Sequence, residues 1–103
     1  AMEATVSKKI EDYVNGHRIV LFMKGTRDFP QCGFSGRAVQ ILQNLGAEFE
    51  DVNVLMDNDV REGIKEFSDW PTIPQLYIDG EFVGGSDLML EMYQNGELAD
   101  MLK

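Results

Sequence analysis

A chain of 103 residues with 44% apolar content can enclose one hydrophobic core and leaves no room for a second, so residues 1–103 are read as one domain. Its net charge of −9 argues against a nucleic-acid surface, which needs clustered Lys and Arg; the acidity keeps a small protein soluble or meets a basic patch on a partner. The longest apolar run, Ile19–Met23, is too short to span a membrane, and no apolar stretch follows Lys8 and Lys9 as a secretion signal requires.

Ala1-Met2 reads as a tag remnant beside the true start or as a trimmed boundary, and either is compatible with a removed targeting segment. Val6, Ile10, Tyr13 and Val14 recur at helical spacing and predict a first helix that stops at Asn15-Gly16. Ile19–Met23 is continuous rather than alternating, as in a strand buried on both faces. Residues 24–30 break the pattern and predict an exposed loop. Phe34, Ala38, Ile41, Leu42 and Leu45 give a second helix, with Gly46 just past its end. A strand is expected over residues 49–54, with Val52 and Val54 on one face. Asp57 or Asn58 can cap a third helix that carries Val60, Ile64 and Phe67 inward. Leu76-Tyr77-Ile78, then Asp79-Gly80, then Glu81-Phe82-Val83 spells a hairpin, because Asp-Gly supplies the positive φ of a tight turn. Leu88, Met89, Met92 and Tyr93 mark a fourth helix up to Asn95-Gly96, and residues 97–102 a short fifth. The order places two strands joined by a helical crossover, hence parallel, before an antiparallel pair. That is a small α/β domain without repeats, linkers or low-complexity segments.

The only cysteine, Cys32, stands in Pro30-Gln31-Cys32-Gly33-Phe34-Ser35, where the loop after the apolar strand enters the second helix. One cysteine cannot form an internal disulfide; it pairs outside the chain or lies buried and inert, and both suit a reducing compartment rather than secretion. A helix N-terminus stabilises a thiolate, the form that attacks disulfides and ligates metals. A lone cysteine is commonly a small buried hydrophobe. Here the preceding strand, the helix dipole and Gly33, which leaves the thiol uncovered, favour a reactive sulfur. Ser35 occupies the place of the second thiol in a Cys-x-x-Cys pair, so no intrachain partner is available. Lys24 ends the strand, from which its ammonium can reach the sulfur and lower its pKa. Two further segments stand out: Trp70-Pro71-Thr72-Ile73-Pro74-Gln75, and Gly84-Gly85-Ser86-Asp87, which leads into the fourth helix and offers amides to a carboxylate. Trp70 is read as packing or as partner-facing surface, and His17 is given no role.

Together these segments resemble the monothiol glutaredoxins of the Cys-Gly-Phe-Ser class, over residues 20–102. The resemblance implies a thioredoxin-like α/β fold, a four-stranded mixed sheet flanked by helices. It implies Cys32 as both catalytic thiol and metal ligand, with a cis Pro74 beside it. Glutathione would be held by Lys24, Gly33, Phe34, Thr72, Ile73, Pro74, Gly85, Ser86 and Asp87, the last taking the α-ammonium. Arg61 and Lys65 would grip the glycyl carboxylate. Many relatives have cysteine at the position of Ser86, so one proposed resolving route is missing and external glutathione remains. The segment from Phe22 to Pro30 is similar to chloroplast and cyanobacterial members, which implies bacterial cytoplasm, or chloroplast stroma after transit-peptide removal.

Two functions follow from different classes. A [2Fe–2S] cluster needs four thiolates; two chains supply two, and two glutathiones complete the set in a cluster-bridged homodimer that assembles or transfers clusters. By resemblance its partners are BolA-like proteins and apo iron–sulfur proteins. The alternative is glutathione-dependent thiol–disulfide exchange through Cys32, for which the long loop at residues 25–30 is a handicap. A redox-inert interaction module is the third reading.

Overall fold

Strand β1 (Ile19–Met23) runs through the middle of the molecule with all five side chains buried. The computed structural model describes residues 2–103. Around β1 lie α1 (Ala4–Gly16), α2 (Gly33–Asn44), β2 (Glu50–Asn53), a 3₁₀ turn (Val54–Met56), α3 (Asn58–Ser68), β3 (Gln75–Ile78), β4 (Glu81–Gly84), α4 (Ser86–Asn95) and α5 (Glu97–Met101). The strands form one mixed sheet in the order β2-β1-β3-β4. β1 pairs parallel with β2 and antiparallel with β3, and β3 pairs antiparallel with β4.

The continuous apolar run in β1 has a direct cause. Ile19, Leu21 and Met23 face a core built from α2, α4 and α5, whereas Val20 and Phe22 face one built from α1 and α3. Strand side chains alternate between faces, so burial on both demands an apolar residue at every position. Phe22 meets Tyr77 of β3 edge-to-face, ring centroids 5.5 Å apart.

The helix ends behave as their residues dictate. Gly46 adopts φ +68, its N–H donates to the carbonyl of Gln43, and the N–H of Ala47 donates to that of Leu42. This closes α2 with a paired-carbonyl cap that a left-handed glycine permits. The Asp57 carboxylate accepts from the Val60 N–H and caps α3. Asp79 and Gly80 both have positive φ, as the tight hairpin requires.

The strand expected over residues 49–54 is shorter, Glu50–Asn53. Asn53 explains the shortening: its side-chain oxygen accepts from the Leu55 N–H and turns the chain into the 3₁₀ segment that contains Val54. Val52 and Val54 still enter the same core. No helix among the described residues is long and apolar enough to cross a membrane.

Candidate functional site

Cys32 is the N-cap of α2, half-buried, in extended backbone conformation. Partial burial opposes ionisation of its thiol. Against it act the Ser35 N–H, the Ser35 hydroxyl, the Phe34 N–H and the charge of Lys24, which together hold the thiol below its ordinary value. Ser35 is therefore more than the absence of a second thiol. Fully buried, its Oγ accepts from the Lys24 N–H at 3.0 Å and ties the end of β1 to the first turn of α2.

The intervening loop is fastened to β2. The Gly25 N–H donates to Asn53 at 3.0 Å, and the Arg27 N–H donates to Asp51 at 2.8 Å. The Arg27 guanidinium pairs with the same carboxylate and stacks 4.2 Å from the centre of the Phe49 ring. The Gln31 N–H returns to the Lys24 carbonyl at 2.9 Å, so the loop closes on itself just before the thiol.

Next to Phe34 opens a cavity of about 390 Å³, within the range of small-molecule sites. Its walls are Lys24 and Phe34 on the thiol side, Lys65 from α3, Trp70, Pro71, Thr72, Ile73 and Pro74 from the loop before β3, and Gly85, Ser86, Asp87 and Leu88 at the start of α4. The Ile73–Pro74 peptide is cis, as expected. Gly85 packs closely on the loop before β3: a Cβ there would lie 3.2 Å from the Pro74 carbonyl oxygen and 3.4 Å from Trp70 Nε1. Only a residue without a side chain leaves this part of the cavity open.

The loop wall is held from behind by Gln75, which is fully buried. Its Nε2 donates to the carbonyls of Trp70 and Thr72, both at 3.1 Å, and its Oε1 accepts from the Tyr77 hydroxyl at 3.2 Å. Burial pushes the Tyr77 hydroxyl up to about 12, against a lowering hydrogen bond with Ser68, so it remains a donor.

Of the residues singled out in the sequence, Lys24, Phe34, Lys65, Thr72, Ile73, Pro74, Gly85, Ser86 and Asp87 line the cavity. Cys32 and Gly33 are not among the lining residues; Cys32 lies close to two that are, the Phe34 N–H and the Lys24 charge both acting on its thiol, and a Cβ at Gly33 would meet open space. Arg61 is not among the lining residues: it lies one turn before Lys65 in α3. The Lys65 ammonium is itself engaged by Glu62 at 3.0 Å. Leu88, one of the apolar residues that mark α4, is 42% exposed and lines the cavity. Trp70 also lines it, tilted against Phe82 with ring centroids 6.0 Å apart. Its place in a Trp-Pro-Thr-x-Pro run was the available signal. Arg37 gave none. From α2 its Nε donates to Ser86 Oγ at 2.8 Å and its Nη2 to Asp87 Oδ1 at 2.5 Å.

A thiol held below its ordinary pKa, near a ligand-sized cavity made by a cis-proline loop and a helix N-terminus, defines a thiol-based redox or ligand-binding domain. The glutaredoxin family model matches residues 19–83. The chain is similar to the probable monothiol glutaredoxin 2 of Rickettsia typhi, 58% identical over 102 residues that cover 99% of this chain and 92% of that one. Among solved structures it is similar to reduced poplar apo GrxS14, with a TM-score of 0.81 and 56% identity over 92% of this chain and 87% of that one. It is also similar to the buckwheat glutaredoxin–glutathione complex, with a TM-score of 0.84 and 25% identity over 95% of this chain and 87% of that one. The chain belongs to the glutaredoxin family, among its monothiol members.

Proposed function

We infer that the chain is a Cys-Gly-Phe-Ser-class monothiol glutaredoxin, acting as a single glutaredoxin domain over residues 1–103. It binds glutathione in the cavity beside Cys32 and takes part in iron–sulfur cluster assembly and transfer. The observation that carries this reading is one half-exposed thiol, held below its ordinary pKa by Ser35 and by Phe34 and Lys24, two residues that line a cavity of about 390 Å³. A buckwheat relative of the same fold is known as a glutathione complex, which supports glutathione as the occupant.

The donor set sets the stoichiometry. No group of three or more His, Cys, Asp or Glu that could hold a metal exists among the described residues. One chain contributes one thiolate, and a [2Fe–2S] cluster takes four. Two copies and two glutathione thiols fit; a single chain does not. The cluster is cargo, to be passed to apo iron–sulfur proteins, with BolA-like proteins as further partners and bacterial cytoplasm or chloroplast stroma as the setting. What the chain itself supplies is a thiol that Ser35, the Phe34 N–H and Lys24 hold below its ordinary value, and a cavity nearby for the second sulfur.

The lowered thiol favours a second activity. The Cys32 thiolate attacks a glutathionylated protein, the protein thiolate leaves, and Cys32 carries the mixed disulfide. A glutathione thiolate then attacks the glutathione sulfur of that disulfide, releasing oxidised glutathione and regenerating Cys32. Anaerobic reconstitution with iron, sulfide and glutathione, read by visible absorbance on a sizing column, separates the two. Cluster absorbance eluting with a dimer, lost without glutathione and in Cys32→Ser, supports cluster binding. A colourless monomer that still removes glutathione from a protein substrate leaves only thiol exchange.

A further inference from the structure

We propose that the loop before the thiol is a docking element for protein substrates, on which Asp28 and Phe29 select glutathionylated cysteines that stand beside a cationic and an apolar side chain. The proposal rests on the thiol-exchange reading above and names the substrate class for it. Residues 25–30 form a small closed hairpin. Gly25 and Pro30 bridge antiparallel; the Thr26 N–H donates to the Phe29 carbonyl at 3.3 Å, and the Phe29 N–H to the Thr26 carbonyl at 3.1 Å. The Phe29 N–H also reaches Thr26 Oγ1 at 3.2 Å, and its carbonyl accepts from Gln31 Nε2 at 3.1 Å. Gly25 has φ +92, and a Cβ there would lie 2.5 Å from the Phe29 carbonyl oxygen, so glycine alone lets the hairpin close.

The hairpin is pinned to β2 through Gly25 and Arg27, so it is not free to fold Phe29 inward. With its backbone groups bonded, Phe29 still leaves its ring 74% exposed, and Phe34, on the other side of Cys32 in the chain, is 60% exposed. Two exposed aromatic rings flanking the one thiol make a contact surface rather than scattered exposure. Phe34 lines the cavity and Phe29 does not, which leaves Phe29 for whatever approaches from outside it. At the tip the Arg27 charge is neutralised by Asp51, whereas the exposed Asp28 makes no ion pair among the described residues. The tip therefore presents one uncompensated carboxylate next to the ring. In the exchange Cys32 bonds to the glutathione sulfur, the protein–glutathione disulfide breaks, and the protein sulfur leaves with the electron pair. Thiols of low pKa leave fastest, and a protein thiol has a low pKa beside Lys or Arg. The proteins that exchange most readily thus bring a cation to the site, where Asp28 receives it. The net charge of −9 draws the same surfaces in from a distance.

The test follows transfer of glutathione onto Cys32 by rapid quench and intact-protein mass, in wild type, Asp28→Lys and Phe29→Ser. The donors are a glutathionylated peptide with Lys and Leu flanking its cysteine, the same peptide with Glu and Ser there, and the cysteine–glutathione disulfide, which has no flanking residues. Each rate is divided by that of a small thiol with the same donor, which removes the difference in leaving group. Wild type is expected to favour the Lys/Leu peptide over the Glu/Ser peptide by about tenfold, less at high salt. Asp28→Lys and Phe29→Ser should each slow the Lys/Leu peptide by about fivefold and leave the cysteine–glutathione disulfide within about twofold of wild type. Equal slowing of that small disulfide means that the hairpin acts by placing the thiol, and overturns the proposal. So do peptide rates that neither variant changes. Loss of the reconstituted cluster-bearing dimer in either variant, with peptide rates intact, assigns the tip to a second copy and overturns it as well. Wild-type protein that takes glutathione from none of the three donors removes the thiol-exchange reading and the proposal with it. A thermal melt of each variant reports folding, which the exposure of both side chains should spare.

Discussion

Replacing Gln75 by Leu tests whether the cavity wall is held from behind, as the hydrogen bonds indicate. The side chain is fully buried and makes three hydrogen bonds: two to the carbonyls of Trp70 and Thr72, one from the Tyr77 hydroxyl. Leu fills a similar volume, so little cavity energy is lost. Each neutral hydrogen bond is worth about 0.5–1.5 kcal/mol net. Trp70 and Thr72 are exposed and can turn their carbonyls to water, and Tyr77 keeps Ser68, so the loss is the bonds rather than the larger desolvation of orphaned groups. Together this gives about 2–4 kcal/mol, a large share of the stability of a small domain yet short of unfolding it. Urea denaturation should show a lower midpoint with unchanged slope. Calorimetry should show glutathione binding weakened by at least about tenfold, because the loop wall no longer has one position. Adding Tyr77→Phe should not restore the affinity, since the Trp70 and Thr72 carbonyls still lack Gln75. A midpoint within about 0.5 kcal/mol of wild type, or full loss of stability with glutathione affinity intact, would refute the reasoning.

Gly85→Ala places a methyl 3.2 Å from the Pro74 carbonyl oxygen. Glutathione affinity should fall by about tenfold, with the midpoint of urea unfolding shifted by no more than the ~1–3 kcal/mol that overpacking costs. Ser35→Ala removes a hydroxyl that lowers the Cys32 thiol, so the midpoint of the alkylation rate against pH should move to higher pH. The ion pair of Lys9 and Asp57, 2.5 Å apart, holds Asp57 below its ordinary 3.8 and Lys9 above its ordinary 10.5. Its contribution is therefore complete between those two values, fades as pH falls through the lowered Asp57 value, and fades as pH rises through the raised Lys9 value. Asp57→Asn keeps an N-cap but not the charge, so its melting temperature should fall less than that of wild type between about pH 6 and about pH 3.

Local chemistry was legible in the sequence wherever one residue type decides the backbone. The run Ile19–Met23 shows a doubly buried strand, Asp79-Gly80 a tight turn, and Gly46 and Asp57 the helix ends they form. Val54 misled because an apolar residue after Val52 continues the strand pattern, while the event that ends it is a side-chain bond from Asn53. Arg61 and Lys65 share a helix face at i and i+4, but that spacing gives direction and not depth, and only Lys65 reaches the cavity. Leu88 fits the periodicity of α4 and yet lines the cavity, while its neighbour Met89 is buried in the core. Arg37 and Asp87 are far apart in the chain and neither stands in a pattern that names the other, so their pairing becomes visible only when α2 and α4 are packed together. Gln75 belongs to the same class: its position after Pro74 is plain, its three partners are not.

Native mass spectrometry of the anaerobically reconstituted protein is the most direct test of the central reading. The account predicts one species of two chains, two irons, two sulfides and two glutathiones, the combination that supplies four thiolates from one cysteine per chain. It should be absent in Cys32→Ser. A loaded monomer, or a loaded dimer without glutathione, would contradict it.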